Sequence, residues 1–95
     1  MRIKVASGGE FSVLNKGEVT VSEDVFLPSA LAVRGQTLTI RSKDGGKVLI
    51  YPQEGEKIDG LQTPFVLAKL CPWATLQASW DAADGEWLVK TEGWA

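Results

Sequence analysis

The sequence predicts an all-β protein, on three observations. Apolar and polar residues alternate with a period of two over several short runs, which puts successive side chains on opposite faces of a strand. Clusters of Gly, Asn and Asp fall between those runs, where turns need residues that tolerate positive φ. The runs recur every ~8–12 residues, the spacing of strands joined by short connections. The expected architecture is a short antiparallel β-sandwich, or a β-prism or β-helix-like module, forming a single domain over residues 1–95.

The elements follow in order. Arg2-Ile3-Lys4-Val5-Ala6 alternates polar and apolar residues, as do Glu18-Val19-Thr20-Val21-Ser22 and Gln36-Thr37-Leu38-Thr39-Ile40-Arg41. All three read as half-buried strands, and the last two are rich in β-branched residues. Lys47-Val48-Leu49-Ile50-Tyr51 is a continuous apolar run that fits a strand buried on both sides. Phe65-Val66-Leu67-Ala68-Lys69-Leu70, Ala74-Thr75-Leu76-Gln77-Ala78-Ser79-Trp80 and Glu86-Trp87-Leu88-Val89-Lys90 complete the set. Lys43-Asp44-Gly45-Gly46 predicts a hairpin or a tight corner, and Asp81-Ala82-Ala83-Asp84-Gly85 a second hairpin turn. Pro28-Ser29-Ala30-Leu31-Ala32-Val33 is too short for a stable helix and reads as a turn or short strand. Residues 1–34 show weaker turn order, and a boundary near Arg34-Gly35 suggests an N-terminal arm or an extra sheet.

Composition narrows the chemistry. Ten Lys and Arg stand against twelve Asp and Glu, a net charge of −2 without a basic block, which disfavours nucleic acid. The absence of histidine removes His-based triads and His-ligated metals. One cysteine, Cys71, rules out an internal disulfide. In Leu70-Cys71-Pro72-Trp73 it lacks an activating base and reads as a packing thiol. No run approaches a membrane span, and the N-terminus lacks a signal-peptide pattern. The opening Met suggests a complete product made in a reducing cytoplasm. No cofactor, metal, nucleic acid or membrane partner is expected.

Two acidic clusters invite a chemical reading. Asp59 with Glu54 or Glu56 offers the two carboxylates of glycoside hydrolysis, but nothing in the sequence builds a cleft around them, so a solvated loop is the expectation. Asp81-Ala82-Ala83-Asp84-Gly85-Glu86 lacks the full calcium loop and reads as an acidic turn.

Trp73, Trp80, Trp87 and Trp94 recur every seven residues. A coiled-coil seam fails because the intermediate positions are not apolar and the glycines would break a helix. A step of seven alternates faces along a strand, so the rings can converge only across paired strands, with Trp80 stacked near Trp87. Four indoles also exceed what so small a core readily hides, which points to a partner surface. The core or interface candidates are Leu38, Ile40, Val48, Ile50, Ile58, Leu67, Leu76, Trp80 and Trp87. Trp73 and Trp94 are candidate contacts to a partner or a glycan.

From Gln36 to Val89 the order of elements resembles a β-module of tailed-bacteriophage fibres and spikes. The order runs Thr37-Leu38-Thr39-Ile40, an acidic-glycine turn, Val48-Leu49-Ile50, a Pro and Gly/Glu stretch and Ile58-Asp59-Gly60. Phe65-Val66-Leu67, Ala74-Thr75-Leu76 and Asp84-Gly85-Glu86-Trp87 follow. Residues 36–89 carry the resemblance, and Pro72-Trp73 interrupts it. It implies a virion structural protein without an enzyme site, intertwined or laterally packed as a homotrimer. The short length favours a capsid decoration (cement) protein that contacts the major capsid protein. The alternative is a tail fibre or spike tip meeting tail or baseplate proteins, or a carbohydrate-binding module using surface tryptophans. A trimer would let three small cores fuse into a common interior.

Overall fold

The computed structural model describes residues 1–94. Ten strands build it: β1 (Arg2–Val5), β2 (Glu10–Ser12), β3 (Gly17–Val21), β4 (Val25–Phe26), β5 (Thr37–Ser42), β6 (Val48–Tyr51), β7 (Lys57–Ile58), β8 (Phe65–Leu67), β9 (Trp73–Ala78) and β10 (Glu86–Glu92). They form two five-stranded sheets, ordered β2-β1-β4-β6-β8 and β3-β5-β9-β10-β7. The sheets share one apolar cluster. The first contributes Ile3, Val25, Val48, Ile50 and Leu67, the second Val19, Leu38, Ile40, Leu76 and Trp87. The all-β class read from the sequence is the class of the structure.

The sandwich is mixed rather than antiparallel. From β2 to β9 every connection carries the chain to the opposite sheet, and only β1 to β2 and β9 to β10 stay within one. Strands two apart in sequence therefore become neighbours. β3 runs parallel to β5, and β4 parallel to β6. Parallel pairing needs a crossover connection, and here the crossover is a strand of the facing sheet. β7 also lies parallel to β10. Local turn chemistry carries no sign of this winding, because it specifies only the next connection.

Lys43-Asp44-Gly45-Gly46 is accordingly a corner between sheets, with Gly45 at φ +70° and Ser42 Oγ donating to Gly46 O at 2.7 Å. The Asp81–Gly85 turn joins a true hairpin, in which Trp87 faces Ala78 and Gly85 has φ +84°. The segment around Ala30 is a turn, closed by Ala32 N to Ser29 O at 3.1 Å.

Residues 1–34 form neither an arm nor an extra sheet. β1, β2 and β4 belong to one sheet and β3 to the other. β3 pairs with β5 along its whole length, from Gly17 opposite Leu38 to Val21 opposite Ser42. β6 is not buried on both sides either: Val48 and Ile50 face the core, while Leu49 and Tyr51 are half-exposed. The interior closes within a single chain, with Trp87 fully buried and its Nε1 donating to Pro28 O at 3.2 Å. The fold therefore needs no fused trimeric interior, and the apolar surface left for a partner lies outside it.

Candidate functional site

Strand alternation fixes what each sheet shows to solvent. On the outer face of the second sheet the register sets Thr39 beside Thr75 and Arg41 beside Trp73. The two threonine hydroxyls share a hydrogen bond of 2.7 Å. Arg41 Nε donates to Glu18 Oε1 at 2.8 Å, and its guanidinium lies over the Trp73 ring, 5.5 Å from the centroid. This face is polar, and its members hold one another.

The outer face of the first sheet is different. Lys4 pairs with Phe26, Phe26 with Tyr51, and Leu49 with Val66. Phe26 and Tyr51 stack, with centroids 5.2 Å apart and planes 11° from parallel. Phe26 is 43% exposed and Val66 44%. Phe26, Leu49, Tyr51 and Val66 thus form an apolar strip crossing three strands. Beside it lies a recess of about 320 Å³ lined by Arg2, Lys4, Glu10, Phe26, Pro28 and Gln53 among others. A smaller, mostly apolar recess of about 200 Å³ lies along the segment from β7 to β8, against Ile58, Leu61, Pro64 and Phe65.

The tryptophans separate into three environments. Trp87 is core. Trp73 is half-buried: a Cβ built on Gly93 would fall 1.9 Å from its Nε1, 2.1 Å from Cε2 and 2.3 Å from Cδ1. Trp80 treats Gly35 in the same way, at 1.9 Å from Cζ2, 2.2 Å from Cε2 and 2.5 Å from Cη2. In each case the two flanking ring atoms are barely farther than the nearest one. That spread places the glycine above the ring face rather than beyond its edge, an arrangement in which an aromatic ring covers a bare backbone. Arg41, from the neighbouring β5, places its guanidinium over the Trp73 ring. The second face of Trp80 is open, and the residue is 70% exposed. Trp94 is 68% exposed, with Nε1 donating to Glu92 Oε2 at 2.7 Å.

Of the core or interface candidates, Leu38, Ile40, Val48, Ile50, Ile58, Leu67, Leu76 and Trp87 are buried. Trp80 is neither core nor stacked on Trp87. It lies beyond the end of β9 and turns outward onto Gly35, whereas Trp87 points inward opposite Ala78. Among the other tryptophan candidates, Trp73 is half-buried against Gly93 and Arg41 and Trp94 stays at the surface.

The acidic clusters serve structure. Glu56 is buried rather than solvated: Oε2 accepts from Ser29 Oγ at 2.5 Å and Oε1 from Ala30 N at 2.8 Å, which caps the turn beneath Trp87. Asp59, at φ +49°, accepts from Val89 N at 2.9 Å and ties β7 to β10. Asp81 Oδ1 accepts from Ser79 Oγ at 3.1 Å. No group of three or more metal-ligating side chains assembles among the described residues. Burial, with Glu92 adding to it, pushes the Cys71 thiol up, and a backbone hydrogen bond from Gly93 opposes the shift. Such a thiol stays protonated at neutral pH and is a poor nucleophile.

Sequence pattern does not show the apolar strip, because the continuous apolar run of β6 fits a strand buried on both sides while Leu49 and Tyr51 in fact face outward. One signal was available: in a two-layer sandwich, alternate residues of any apolar strand must face outward. The Gly35–Trp80 and Gly93–Trp73 contacts join residues too far apart in sequence for local pattern to link them.

Compared with known proteins, the chain matches no family model, no curated protein and no solved structure. The phage-module resemblance therefore rests on element order alone.

Proposed function

We propose that this chain is a structural assembly protein of a virion, a trimeric capsid decoration protein in which copies pack laterally and together contact the shell. The observation that carries the assembly part is the strip of Phe26, Leu49, Tyr51 and Val66 on the outer face of the first sheet. The core is complete without it, so these side chains contribute little to folding and gain when water is removed, at about 25 cal/mol per Å² of apolar area. A contiguous exposed apolar patch on a small domain is the mark of an interaction surface. Its rim carries both signs, Arg2 and Lys4 near Glu10, which suits contact with another copy of the same acidic chain. The virion setting is supported by the order of elements from Gln36 to Val89.

The test is sedimentation equilibrium of the purified chain at micromolar concentration. The proposal expects a trimer that dissociates on dilution; a monomer throughout that range contradicts it. Saccharide binding is the second reading, and the exposed rings of Trp80 and Trp94 favour it.

A further inference from the structure

The protein contains one aromatic arrangement twice, once complete and once open. At Trp73 the ring rests on Gly93, the Arg41 guanidinium from β5 also lies over it, and Glu18 holds that guanidinium by its Nε. At Trp80 the ring rests on Gly35, its other face meets solvent, and the exposed Asp81 follows it in the chain. A Trp80 exposed merely by chance on a loose loop would lack a rigid base, yet this base is heavily tied. Gly35 N donates to Ala78 O at 2.8 Å and Gln77 Nε2 to Gly35 O at 3.1 Å. The Arg34 guanidinium donates to Ser79 O at 3.1 Å and Ala82 O at 3.0 Å. Ser79 Oγ accepts from Ala82 N at 3.1 Å. The indole is held in place before anything binds, which lowers the ordering cost of binding.

Comparison with Trp73 identifies the missing group as a guanidinium, attracted by the ring face and by the neighbouring carboxylate. The chain has three arginines. Arg34 is bonded to two backbone carbonyls, and Arg41 is engaged on Trp73 and Glu18. Arg2 is the uncommitted one: its side chain is 77% exposed and meets Glu10 only at 3.5 Å. It lines the recess of about 320 Å³ beside the apolar strip, with Lys4, Phe26 and Pro28, and Trp80 of the same chain does not line that recess. A recess carrying Arg2 and Lys4 against the single acid Glu10, with Phe26 in its wall, thus faces outward on one part of the molecule, and a fixed indole followed by the exposed Asp81 on another.

We propose that Trp80 of one copy enters the Arg2 recess of the next, so that Arg2 caps the open indole face and Lys4 meets the acidic turn. Because the two surfaces differ, the contact is head-to-tail, the type that closes into rings such as a trimer. The inference rests on the assembly reading and specifies its geometry.

The test compares sedimentation of the wild type, Arg2→Ala, Trp80→Ala and an equimolar mixture of the two variants, with circular dichroism confirming that each is folded. Each variant alone should weaken association by more than tenfold. The mixture should form one-to-one heterodimers, because the Arg2→Ala copy still offers an intact Trp80 and the Trp80→Ala copy an intact recess. A wild type that assembles while both variants assemble equally well overturns this contact and leaves the assembly reading standing. A wild type that is monomeric at micromolar concentration overturns both. Variants that dissociate but fail to complement in the mixture overturn the head-to-tail geometry. Unaltered assembly, with a glycan panel changing indole fluorescence only when Trp80 is present, would assign the ring to a saccharide.

Discussion

On the outer face of one sheet, Thr39 bonds to Thr75 and Arg41 bridges Glu18 and Trp73; on the other, Phe26 stacks on Tyr51 with Leu49 and Val66 alongside. Both faces sit on strands that bury the same kind of aliphatic side chain. The polar face is satisfied within the molecule: each group named has a partner in its own sheet. The apolar face is not, because its side chains meet water and have surface still to bury. The difference teaches that a sandwich this small completes its core with one side of each sheet and leaves the other sides free to diverge. The side that diverged toward apolar residues is the one the proposed assembly would use.

The largest expected effect tests the premise that the core is complete without that strip. Trp87→Ala should destabilise the folded chain by about 3–5 kcal/mol, as large aromatic truncations in cores do, measured by denaturant unfolding at dilutions where no oligomer persists. Loss of the indole also leaves the Pro28 carbonyl without its donor. An unchanged unfolding midpoint would mean that Trp87 does not hold the two sheets together, and the contrast between a finished core and an unfinished face would fail.

Sequence pattern reached the core more readily than the faces. Leu38, Ile40 and Leu76 are legible because period-two alternation states which side of a strand is apolar. The parallel neighbours β3 and β5 were not, since their pairing depends on how β4 passes through the other sheet between them. The same holds for residues 1–34, which read as an arm or an extra sheet because β3 and β4 find β5 and β6 only beyond Arg34, although β1 pairs locally with β2 and β4. β2, β4 and β7 are two or three residues long, too short for alternation to register. Glu56 read as solvated because its ligands, Ser29 and Ala30, come from a distant turn. Neither Trp80 nor Trp73 carries a local signal of its environment; the long-range partners Gly35, Gly93 and Arg41 distinguish an open ring from a covered one.

A smaller effect sharpens the contrast from the polar side. Arg41→Ala removes the guanidinium from Trp73 and Glu18 and should cost about 1 kcal/mol, the scale of an exposed cation–π contact together with a surface ion pair. Thermal unfolding would show it, and oligomer mass should not change. A loss of assembly in Arg41→Ala would place the interface on the polar face instead.

The most direct measurement is a matched pair of charge insertions, one on each outer face, read by sedimentation equilibrium. Val66→Lys sets a charge into the apolar strip at a position already 44% exposed, while Thr20→Lys adds one beside Arg41 on an exposed position of the polar face. The account predicts that Val66→Lys is a folded monomer at concentrations where the wild type and Thr20→Lys remain assembled. An assembled Val66→Lys, or a Thr20→Lys that alone dissociates, would contradict it.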